Sequence, residues 1–136
     1  MNKKIALGAA FLVPLLITII VCIDHGIYPF GEQCMLQVDM YHQYCPFFSE
    51  LMDKLRSGGS IFYTWNVGLG ADFISLYAYY LASPLNLLVV FCPADYVIEF
   101  MTLLVVLKTA FAGVTFAYYV IEHFKLASDK VENRIQ

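Results

Sequence analysis

The stretch Lys3-Lys4-Ile5-Ala6-Leu7-Gly8-Ala9-Ala10-Phe11-Leu12-Val13-Pro14-Leu15-Leu16-Ile17-Thr18-Ile19-Ile20-Val21-Cys22-Ile23 decides the fold. From Ile5 to Ile23 it carries no charge. A bilayer core about 30 Å thick takes about 20 apolar helical residues. The run therefore predicts a transmembrane helix over residues 5–23, bent mid-span at Pro14. A secretory signal peptide is the competing reading, but its apolar region is shorter, about 7–15 residues, and small residues close it. Here Cys22-Ile23-Asp24-His25-Gly26 follows, which favours a retained helix. Lys3 and Lys4 place the N-terminus in the cytoplasm.

Composition agrees with a membrane chain. Hydrophobic residues make up 60% and charged residues 14%, where a soluble domain has about 45–50% and about 25%. Mean hydropathy is +0.68. Aromatic residues reach 16%, as suits segments at a lipid–water boundary. The net charge of −3, without a basic run, excludes nucleic acid as the natural partner. Cys22, Cys34, Cys45 and Cys92 form no CxxC pair, which argues against a zinc knuckle or a thioredoxin-like site. Cys34 and Cys45 either stay reduced or pair, if their loop is extracytoplasmic.

Residues 24–72 read as a long extracytoplasmic segment that opens with the Gly- and Pro-punctuated Asp24 to Gly31. Over residues 41–56 the spacing predicts an amphipathic helix. Tyr44, Phe47, Phe48, Leu51 and Leu55 form its apolar side; Glu50, Asp53, Lys54 and Arg56 form a solvated side. Ser57-Gly58-Gly59-Ser60 stops it. Such a helix beside a span lies along the membrane surface. Residues 61–72, with Gly68-Leu69-Gly70, read as a tight interfacial loop. Residues 73–92, broken at Ser83-Pro84, are either one kinked span or two interfacial or re-entrant helices, and the tyrosines favour the latter. A second transmembrane helix is predicted over 101–121, with Lys108 inside it, followed by a cytoplasmic tail over 122–136. The expected fold is thus an all-α membrane protein. Two transmembrane helices are joined by a long extracytoplasmic segment, and both termini are cytoplasmic.

The richest polar cluster is Val38-Asp39-Met40-Tyr41-His42-Gln43-Tyr44-Cys45-Pro46-Phe47-Phe48. This stretch resembles the bacterial YfhO family of multi-span membrane proteins. So do Tyr28-Pro29-Phe30-Gly31, Ser57-Gly58-Gly59-Ser60, Trp65-Asn66-Val67-Gly68-Leu69-Gly70, Tyr79-Tyr80-Leu81-Ala82-Ser83-Pro84-Leu85-Asn86 and Lys108. Together they cover residues 5–124. That family is similar to the C-type glycosyltransferases, which take sugar from a polyprenyl-phosphate carrier at the outer face of the membrane. The resemblance implies a bacterial plasma-membrane protein that helps glycosylate a cell-wall polymer of the teichoic-acid type. Family members are several times longer, so the chain is expected to be an N-terminal module, incomplete alone. The alternatives are a non-enzymatic membrane scaffold or subunit that pairs with a larger membrane protein, and a transporter fragment.

Transfer from a lipid phosphate needs an anion near the acceptor hydroxyl and cationic help for the leaving phosphate. The resemblance makes Asp39 the catalytic residue; residue type and position alone make it a helix N-cap. His42, three residues on, shares a helical face with it. It is a phosphate or metal contact, or an interfacial hydrogen-bonding residue. Tyr41, Gln43 and His42 are the expected carrier-binding groups, joined by Lys108 unless that side chain snorkels along its helix. No cofactor is required by the sequence, and a divalent metal stays open.

Overall fold

The computed structural model describes residues 3–135, with side chains through Phe124. The chain is mostly helical and divides into two compact units, Met1–Asp24 with Val106–Gln136, and His25–Val105.

The first unit contains α1 (Lys3–Asp24) and most of α4, whose full range is Val97–Ile135. Among the described residues, two helical segments are long and apolar enough to cross a membrane, Lys3–Asp24 and Ala94–Phe124, and the bent pair Phe73–Leu81 with Pro84–Phe91 is a third if it counts as one span. The two helices run antiparallel within this unit. Lys3 forms an ion pair with Glu122 and lies 4.8 Å from the Tyr118 ring centre. Further along, Phe11 meets Phe111 edge-on at 5.4 Å. The helices pack tightly at Gly113, where an added Cβ would overlap the Ala10 carbonyl oxygen and lie 3.1 Å from Pro14 Cγ. Pro14 explains the site. It has no N–H, so the Ala10 carbonyl loses its helical donor, and only a glycine on the neighbour can close against it. Thr18 donates its hydroxyl to the Pro14 carbonyl at 2.8 Å.

The second unit is built around the amphipathic helix α2 (Cys45–Ser57). Phe48, Leu51 and Met52 are buried with Leu36, Phe73, Leu81, Val89, Cys92, Val97, Met101 and Leu104. Gly58, at φ 68°, ends the helix in the left-handed conformation that glycine adopts without penalty. The loop over 61–72 departs from the all-helical expectation. Tyr63–Thr64 (β1) and Ala71–Asp72 (β2) pair antiparallel. Gly70 at φ 104° closes the turn, and a Cβ there would collide with the Tyr63 ring.

Beyond β2, Asp72 caps the short helix α3 (Phe73–Leu76), accepting from Ile74 N at 3.1 Å and from the Ser75 hydroxyl. The Ser75 hydroxyl bond is the main cause of an Asp72 carboxyl held below its ordinary value. A widened helical turn, Tyr77–Leu81, follows, and then a 3₁₀ segment, Pro84–Phe91, bent from it by 109°. Pro84 forces the bend, because the residue before a proline is excluded from helical dihedrals; Ser83 has ψ 130°. Buried Asn86 donates its side-chain amide to the Leu81 carbonyl at 3.1 Å, bracing the two pieces.

Candidate functional site

Asp39 opens a helical turn of unusual width. Residues Met40–Tyr44 form a π turn, closed by Cys45 N–H bonding the Met40 carbonyl. Pro46 accounts for the local widening: lacking an N–H, it cannot continue the four-residue ladder, and a π turn absorbs the mismatch. The helix therefore starts ahead of the predicted Tyr41. Asp39 itself has φ −64° and ψ −32° and makes no capping hydrogen bond. The capping role is thus corrected: an N-cap residue takes non-helical dihedrals, whereas Asp39 already lies within the helix. Its exposed carboxylate is left to face outward.

Just before it, Val38 holds φ 48° and is 72% exposed. A β-branched residue in that region is strained. The strain turns the chain so that Val38 offers its carbonyl to Tyr41 N at 3.1 Å and His42 N at 2.9 Å. Tyr41, His42 and Gln43 are all exposed on this turn. Tyr41 and His42 meet edge-on at 5.5 Å. One face of the wide turn is anchored through Tyr44, whose ring meets Tyr80 of the second wide turn at 5.0 Å; Phe47 packs on the same ring at 5.2 Å. The polar residues thus sit on a turn held from behind by aromatic contacts.

Among the described residues no group of three or more His, Cys, Asp or Glu stands together to hold a metal ion. His42 lies against an aromatic ring, not within a ligand set. Lys108 belongs to the other unit, half-buried on α4. The predicted span began at Met101; α4 begins at Val97 and is helical past Phe124, which puts Lys108 about 16 Å from one point and about 24 Å from the other at 1.5 Å per residue. Cys34 and Cys45 are free thiols. Burial pushes the Cys45 thiol up, with smaller contributions from Cys34 and Glu99.

The larger correction concerns the helix face expected to be solvated. Glu50 is buried, 6% exposed. Its carboxylate accepts from the Thr64 hydroxyl and from Asn66 Nδ2 at 2.8 Å, and pairs with Lys54 at 3.2 Å. Burial pushes the Glu50 carboxyl up, but the bonds from Thr64, Asn66 and Lys54 together outweigh it and hold it below its ordinary value. Lys54 also donates to the Ser60 and Tyr63 carbonyls at 2.6 and 2.9 Å and sits over the Phe73 ring. Arg56 donates to the Val90 carbonyl at 3.0 Å and to the Cys92 carbonyl. These charges tie α2 to the hairpin and to the 3₁₀ segment. The i,i+4 spacing of Glu50 and Lys54 was the only sequence signal for this cluster.

No curated protein and no solved structure matches the chain. The family described as bacterial membrane protein YfhO matches residues 9–131, which take in the wide turn, the hairpin, the bent segment and Lys108. With nine-tenths of its length matched, the chain belongs to the YfhO family of bacterial membrane proteins.

Proposed function

We propose that this module serves a glycosyltransferase that takes sugar from a polyprenyl-phosphate carrier and adds it to a cell-wall polymer of the teichoic-acid type. The observation that carries the reading is Asp39: an exposed carboxylate without a capping bond, on a strained and widened turn beside exposed Tyr41, His42 and Gln43. Both strain and π turns concentrate at functional sites. In this reading the module sits in the bacterial plasma membrane with both termini cytoplasmic, residues 24–72 outside and residues 73–92 at the outer interface. Lys3 and Lys4 favour that orientation.

The Asp39 carboxylate takes the proton of the acceptor hydroxyl. The hydroxyl oxygen attacks the anomeric carbon, and the carrier phosphate leaves with the electron pair of the broken C–O bond. Tyr41, His42 and Gln43 supply hydrogen-bond donors to the phosphate and sugar.

In a full-length family member, Asp39→Asn should cut sugar incorporation by about 10²–10⁴-fold, the usual contribution of a general base, while expression and membrane insertion hold. Undiminished incorporation removes Asp39 from the mechanism. Undiminished incorporation together with co-purification of a larger membrane protein would establish the scaffold role instead.

A further inference from the structure

Pro46 leaves the Asp39 turn weakly tied to the helix that follows it. Its missing N–H interrupts the backbone ladder between Met40–Tyr44 and the body of α2. At the other end of the turn, Val38 is held at φ 48°, a conformation its β-branched side chain disfavours. Strained backbone persists only where its surroundings over-determine it. The direction in which Asp39 faces is therefore set by packing from outside the turn.

Tyr80, on the second wide turn Tyr77–Leu81, supplies that packing. Its ring meets Tyr44, ahead of Pro46, at 5.0 Å, and Phe47, just after Pro46, at 5.2 Å. One half-buried ring thus bridges the break in the helix, touching both the turn and α2. Interplanar angles of 88° and 54° are tilted or edge-on contacts, which aromatic pairs favour over a face-to-face sandwich. The mount is firm. Leu81, the next residue, is fully buried, and its carbonyl accepts from the Asn86 amide at 3.1 Å. Tyr79 meets the same ring at 4.7 Å, but from an exposed position.

We infer that Tyr80 is the positioning residue for Asp39: its ring clasps the helix across the Pro46 break and fixes the direction of the turn that carries the carboxylate. The consequence for catalysis rests on the glycosyltransferase reading, whereas the clasp stands apart from it. Tyr80 acts through Tyr44 and Phe47 and needs no contact with substrate. A general base displaced by about 1 Å loses much of its effect, so the clasp acts on turnover more than on binding.

The first arm of the test is hydrogen exchange on the whole chain in lipid nanodiscs. Tyr80→Leu should quicken exchange over residues 40–45 about tenfold or more, from the loss of two ring contacts, while residues 61–72 keep their protection. Tyr80→Phe keeps the ring and should restore the wild-type rates. Tyr44→Leu removes one of the contacts from the other side; combined with Tyr80→Leu it should give less than the sum of the two effects. Tyr79→Leu should change nothing over residues 40–45. The second arm uses a full-length family member, where Tyr80→Leu should lower kcat about tenfold or more with KM unchanged, and Tyr80→Phe should recover it. Unchanged exchange over 40–45, equal quickening over 61–72, additive effects of Tyr44→Leu and Tyr80→Leu, or no recovery in Tyr80→Phe overturns the inference. So does an unchanged kcat in Tyr80→Leu when Asp39→Asn is inactive. Full incorporation in Asp39→Asn overturns the glycosyltransferase reading instead, and the exchange arm still decides whether Tyr80 sets the turn.

Discussion

Glu50 offers the sharpest test of how the second unit is held. Glu50→Gln keeps the shape but removes the charge that Lys54 pairs with at 3.2 Å. It also turns a two-oxygen acceptor into one oxygen and an NH₂ group, which faces the Asn66 amide or the Thr64 hydroxyl. Hydrogen bonds to a charged group are worth about 1.5–3 kcal/mol each, and breaking a buried pair costs about 3–5 kcal/mol. A loss of about 3 kcal/mol, localised to the junction of α2 and the hairpin, is the central expectation. It raises the open population of the hairpin by about 150-fold. Hydrogen exchange in nanodiscs reads this directly at the β1–β2 amides, where Tyr63 faces Asp72 and Thr64 faces Ala71. Protection over residues 61–72 should fall while α1 keeps its own. The wild type carries a second mark in its pH response. Its folded carboxyl lies below the ordinary 4.5, so the stabilisation is fully present at neutral pH and is lost as pH falls below about 4.5 through the lower folded value. The Gln variant lacks that acid loss. Unchanged exchange at 61–72, or an acid response as steep as the wild type's, refutes the assignment of Glu50 as the tie.

Two further perturbations reach other joints. Gly113→Ala puts a Cβ against the Ala10 carbonyl and should cost about 1–3 kcal/mol of helix pairing; cysteines replacing Phe11 and Phe111, whose rings lie 5.4 Å apart, should cross-link efficiently with Gly113 and poorly with alanine. Arg56→Met strands the Val90 and Cys92 carbonyls that the guanidinium bridges, and exchange over residues 84–92 should quicken about tenfold or more, with Arg56→Lys only partly restoring protection because lysine lacks the fork.

The apolar helices were legible because length and lack of charge leave few alternatives for such runs. The end of α2 was legible too, since Gly58 supplies a conformation other residues avoid. The small hairpin was not. Its strands are two residues each, too short for any periodicity, and their register is held by a glutamate fourteen residues away from Thr64. Glu50, Lys54 and Arg56 share the polar side of an amphipathic helix, and that pattern alone reads as solvent. Only their long-range partners show that they are internal ties. The Asp39 turn was legible in residue type but not in backbone: neither the strain at Val38 nor the π turn leaves a compositional mark, and both change what Asp39 can do.

The Gly113 contact also sets an order of events during synthesis. Ala10 and Gly113 are 103 residues apart (113 − 10). At about 5–20 residues per second, α1 waits roughly 5–20 s in the bilayer before its partner helix exists. Through that interval the Ala10 carbonyl, stripped of its helical donor by Pro14, has neither donor nor neighbour. The helix pair therefore closes late, after the whole intervening segment has left the ribosome. A defect at Gly113 should then act as a failure of assembly, leaving α1 inserted and stranded, an orphan for membrane quality control to recognise.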